Sequence, residues 1–230
     1  MSEKMAFRLA VIAAVVMLGI IPLMSVTAAP CSELPMSTLT AYELVRSAGD
    51  LQRIFGAAGD ACGVTIAAQL DHANVVDAAA YVPAYTAFYA LTLFALGQRD
   101  KTLGWAGVAI SIVNAVADWA ENAAMFALSP PQESLGWIPA LIVATNIKWV
   151  GLAVATTLGG VMLMRRGGLG WLGLVPCAVP LVTSLWAVAM PDAAGKWLMP
   201  GMVVASVTLL AVAVWGSFAK QPVAAGAGQS

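Results

Sequence analysis

The chain has 230 residues, of which 60% are hydrophobic and only 10% are charged, against roughly 25% charged in an ordinary soluble domain. A soluble fold of this size cannot hide so much apolar surface. With 11 basic and 12 acidic residues in all and no clustered basic run, nucleic acid is excluded as a partner, and the lipid bilayer is the expected one.

The apolar residues fall in six blocks long enough to cross a bilayer, about Met5–Thr27, Ala78–Leu96, Leu103–Leu128, Trp137–Met164, Trp171–Met190 and Trp197–Phe218. Each holds about the 20 helical residues that roughly 30 Å of hydrocarbon requires. Short connectors rich in Gly, Pro and charge separate most of them, at Gln98–Lys101, Ser129–Gly136, Arg165–Gly170 and Pro191–Lys196, so sequential helices are antiparallel neighbours. The expected fold class is therefore all-α, a polytopic transmembrane helical bundle of six helices with a small extracytoplasmic helical cap. The division along the chain is 1–27 for the first helix, 28–77 for the cap, 78–218 for a five-helix bundle and 219–230 for a disordered cytoplasmic tail.

The first block also fits a secretory signal peptide, with Lys4 and Arg8 before an apolar run and small residues at Val26-Thr27-Ala28. Its cleavage would leave five helices. Placing the N-terminus inside puts Lys4, Arg8, Arg99, Lys101, Arg165, Arg166 and Lys220 in the cytoplasm and only Arg46, Arg53 and Lys196 outside, with Lys148 within a helix. That distribution predicts cytoplasmic N- and C-termini in a multi-pass protein, and the compact, alanine-rich chain suggests a bacterial-type inner membrane.

Residues 28–77 carry six acidic side chains against Arg46 and Arg53. A helix is expected from Ser37 or Thr38 through about Phe55, with Leu39, Leu44, Leu51, Ile54 and Phe55 on its apolar face. Gly56, Gly59 and Gly63 are expected to break the chain after it. Cys31 and Cys62 bracket that helix on the oxidising side and are expected to form a disulfide, while Cys177 reads as a small buried hydrophobe. The single His72 and three dispersed cysteines leave no familiar metal site, and no nucleotide-binding or nucleophile-elbow motif occurs, so no metal or cofactor is expected.

The third block contains Ser111, Asn114, Asp118, Glu121 and Asn122, which share one stripe about 100° wide at roughly 100° per residue. Two carboxylates a turn apart in hydrocarbon must face a partner, water or the bundle interior. Lys148 in the fourth block lies at the depth of Asp118 on the adjacent antiparallel helix, so the two are expected to pair, with Glu121 one turn further out. In the second block Asp77, Tyr81 and Tyr85 recur every four residues around Pro83 and form a candidate roof. The excess carboxylate must be protonated, neutralised by Arg46 or Arg53, or occupied by a cation.

Asp118, Glu121, Asn122, Lys148, Asn114, Asp77, Tyr81 and Tyr85 are therefore the candidate ligand- or proton-binding residues of an outward-facing pocket for a small solute, lipid group or proton, in a transporter-like or sensor-like protein. A membrane enzyme using Asp118 or Glu121 as acid or base on a lipid or isoprenoid substrate is the second class, and a structural or accessory subunit the third. Helices five and six hold no counterpart of Asp118 and Glu121, which counts against an internally repeated transporter. A fixed salt-bridge network that only specifies helix packing explains the same residues without a ligand.

Overall fold

The computed structural model describes residues 1–57, 59–130, 134–167 and 170–218. Helices are the only regular secondary structure among them, without a strand, and six helices or helix runs are long and apolar enough to cross a membrane, as befits a membrane protein. The expected tail, 219–230, lies outside the described residues, as do Pro131–Glu133 of one connector and 168–169 of another.

Helix α1 (Glu3–Ile20) starts at Ser2, whose hydroxyl accepts from the Met5 amide, and passes through a 3-10 turn at Ile21–Met24, where Pro22 cannot continue the ladder. Ala6, Phe7, Ala10, Ala14 and Met17 form its buried stripe, packed on α5 (Val82–Leu96) and α9 (Pro191–Phe218). The expected cap helix is two helices, α2 (Thr38–Glu43) and α3 (Ala48–Phe55). The break has a local cause: Ser47 and Asp50 form a capping box that starts a new helix at Ala48, so each short piece turns its own apolar face onto the bundle.

The second spanning run also departs from expectation. Helix begins at Ala61, not Ala78, and α4 (Ala61–Val76) passes through a π-helical turn at Asp77–Tyr81 into α5. Gly56 and Gly59 do break the chain, with φ of 72° and 90°, which favours glycine. Gly63 does not: it sits in the first turn of α4, where a Cβ would run into the Phe55 carbonyl. Ile66, Leu70 and Ala67 of α4 join Tyr42, Val45, Leu51, Ile54 and Phe55 of the cap and Met125 and Leu128 of α6 (Lys101–Leu128) in a second core. Burial of this face draws the helix beyond the apolar block seen in sequence.

Helices α7 (Ile138–Arg165), α8 (Trp171–Ala189) and α9 complete the bundle. Pro191–Lys196 is the first turn and a half of α9 rather than a connector, since Pro at the first helical position and Asp192 beside it suit a helix start. Sequential helices neighbour one another, α1 closes on α9, and α7 also touches α5 and α9. Cys31 and Cys62 are disulfide-bonded, and Cys177 is free and buried. His72 is exposed on α4.

Candidate functional site

The charged residues of α6 and α7 meet just beneath the cap. Lys148 projects from α7 with its Nζ 3.6 Å from Asp118 Oδ1 and in direct contact with Glu121 Oε2. A third carboxylate, Glu43 at the end of α2, lies 3.1 Å from the same nitrogen. All four side chains are buried. Lys148 also lies 5.2 Å from the Trp149 ring centroid, within cation–π range.

Around this centre the hydroxyl of Tyr85 donates to Asp118 Oδ2 at 2.9 Å, and the Asn122 amide donates to Asp77 Oδ2 at 2.6 Å. Thr145 Oγ1 lies 2.6 Å from Glu121 Oε1 and 3.0 Å from the Glu43 carbonyl oxygen. Glu43, Asp77, Asp118, Glu121, Asn122 and Lys148 border a cavity of about 20 Å³, room for roughly one water molecule. Met24, Leu39 and Met125 close it with apolar atoms.

Two expected members stand apart. Tyr81 packs against Tyr85 with the rings tilted at 58° and their centroids 5.6 Å apart, and does not border the cavity. Asn114 is fully buried with both amide atoms unpartnered among the described residues, one turn below Asp118 and against Gly151, where a Cβ would strike its amide oxygen. The π-helical turn presents the Ala78 carbonyl to Trp119, whose indole N–H donates to it at 2.9 Å, so Trp119 braces the segment that carries Asp77.

Among the described residues neither outer arginine forms an ion pair with the carboxylates of the cluster. Arg46 donates to Asn146 Oδ1 at 3.1 Å and to the Val45 carbonyl at 3.3 Å, and Arg53 lies 3.8 Å from Asp192. Lys148 therefore faces Glu43, Asp118 and Glu121 directly, with Asp77 on the same cavity. Burial pushes the Glu43 carboxyl above the ordinary glutamate range, against the pull of Lys148.

Glu43 and Thr145 are the residues that sequence reasoning missed. The signal for Glu43 was present: it stands four residues after Leu39, on the apolar face expected to rest on the bundle, and both residues border the cavity. Tyr42 beside it fixes the register by donating its hydroxyl to the Met125 carbonyl. Among the described residues no group of three or more His, Cys, Asp or Glu side chains is arranged to hold a metal ion; the ammonium of Lys148 stands between the carboxylates instead. No family model, curated protein or solved structure matches the chain.

Proposed function

We propose that this is a membrane protein of sensor-like or transporter-like type whose buried cluster beneath the cap takes up and releases a proton, with the cap on the outer side and both termini in the cytoplasm. Three carboxyl groups contact one ammonium and Asp77 borders the same cavity, and buried charge in such excess is relieved by retaining protons. The observation that carries the reading is the pair of contacts at Thr145. A hydroxyl has one proton to donate, and the Glu43 carbonyl can only accept. Both contacts are hydrogen bonds when Glu121 is protonated on Oε1 and donates to Thr145, which then donates to Glu43. The small cavity of about 20 Å³ suits a proton or a single water rather than a larger solute, and the asymmetry of positive charge supports the orientation.

The same small volume and the burial of its ions favour a second reading, an accessory protein in which the network fixes the packing of α2, α6 and α7 and exchanges nothing. Infrared difference spectroscopy of the purified protein in lipid nanodiscs separates the two. A carboxylic-acid band present at neutral pH, lost in Glu121→Gln, titrating with pH and shifting promptly in heavy water is the expected result. A band that neither titrates nor exchanges establishes the packing role. Complete absence of a protonated carboxyl overturns the proton reading.

A further inference from the structure

At the opposite end of the bundle α1, α8 and α9 leave a lateral groove of about 890 Å³, within the range of roughly 300–1,000 Å³ typical of ligand sites. Its wall along the helices is apolar, with Phe7, Leu163, Pro176, Val207 and Val212, and its mouth is basic, with Lys4, Arg99 and Arg166. Arg166 is held in place: it donates to Glu3 at 2.7 Å and to the Ala95 and Leu96 carbonyls at 3.0 and 3.1 Å. Its buried Nε has no partner among the described residues. Among the described residues Lys4 and Arg99 form no ion pair there, and Glu3, the one acid among those bordering the groove, is engaged by Arg166.

We infer that this groove binds an anionic phospholipid, an acyl chain lying along α8 and α9 and the phosphate resting among Lys4, Arg99 and Arg166. Charge complementarity selects the occupant. A slot in the spanning region is filled by hydrocarbon, and three cations against one paired carboxylate at its end select a negative headgroup over a zwitterionic one. The chain's own tail is the poorer match, because Lys220 brings further positive charge and the remainder is mostly Ala and Gly. The inference shares with the proposed function only the placement in a bilayer, and it concerns none of the same residues.

Native mass spectrometry of the full chain, released from nanodiscs of equal phosphatidylglycerol and phosphatidylcholine, tests it. Phosphatidylglycerol should be retained in preference. Each basic residue near the phosphate contributes about a factor of five, so Lys4→Gln with Arg99→Gln should lower the ratio by about twenty-five-fold. Both side chains lie at the solvent-accessible rim, so this variant should fold normally. Ala211→Phe, at an exposed groove position, should abolish retention with every charge intact. An unchanged ratio in the charge variant, or undiminished retention in Ala211→Phe, overturns the site. A several-fold rise in retention on deleting the residues after Phe218 would show that the tail occupies the groove and would overturn it as well.

Discussion

The two ends of this bundle use the same ions in opposite ways. Beneath the cap one cation is buried among an excess of acids, three of which it contacts directly. At the terminal end, among the described residues, cations exceed acids, two of them form no ion pair, and the groove they border lies open. Enclosure makes each charge at the first end dependent on its partners, whereas exposure leaves those at the second free for a mobile ligand. The physical divider is desolvation: an unpaired buried ion costs several kcal/mol and a partly hydrated one very little.

The largest effect should come from removing the enclosed cation. Lys148→Met is expected to destabilise the protein by about 3–5 kcal/mol, as breaking other buried pairs does, measured by unfolding in detergent micelles. Adding Asp118→Asn should restore more of that loss than adding Glu121→Gln, because Asp118, 3.6 Å from the ammonium, is left as an unpaired buried carboxylate whereas Glu121 already carries the proton in the proposed cluster. Equal or greater rescue by Glu121→Gln would break that placement of the proton.

Next in size is the covalent tie that keeps the cap in place. Replacing Cys31 and Cys62 by Ser opens a link of sequence separation 31 and should cost about 3.7 kcal/mol, the loop-closure value for that length. Alkylation of the unreduced, denatured native chain should label Cys177 alone. Labelling of three cysteines would show the tie to be absent.

A smaller effect sharpens the contrast through pH. The Glu43 carboxyl is raised above its ordinary value near 4.5 by burial, so its contribution to closing the cap is fully present below that value and is lost as pH rises through the raised one. Lys148, Asp118, Glu121 and Asp77 face it, so the midpoint belongs to the set. Hydrogen exchange at Tyr42–Val45, corrected for intrinsic rates, should quicken with rising pH in the native protein, and Glu43→Gln should flatten that slope. An exchange rate that falls with pH would reverse the sign and sink the argument.

The smallest effect belongs to the exposed end. Arg165 donates to Asp100 at 2.6 Å, but the two side chains are 58% and 36% exposed. Arg165→Gln should therefore change stability by less than about 1 kcal/mol, by the same unfolding measurement. A loss as large as that of Lys148→Met would erase the distinction between the two ends.

What the sequence determined by itself was set by length, period and charge. Apolar blocks of about 20 residues announced the six spans, since nothing shorter crosses hydrocarbon as a helix. The 3.6-residue period placed Asp118, Glu121 and Asn122 on one stripe, and antiparallel counting brought Lys148 to the depth of Asp118. Only the tertiary structure decided which acids surround the lysine. Glu43 reaches it because Ser47 and Asp50 break the cap helix and Tyr42 anchors α2 to α6, contacts between residues 83 positions apart in the case of Tyr42 and Met125. The start of α4 at Ala61 was hidden for a similar reason: its apolar face is buried by the cap rather than by lipid, so it lacks the unbroken hydrophobic run that marks a span. The departure of Asn114 and Tyr81 from the cluster followed from packing at Gly151 and Tyr85, because shared helical phase fixes a direction but not which neighbour fills the space there.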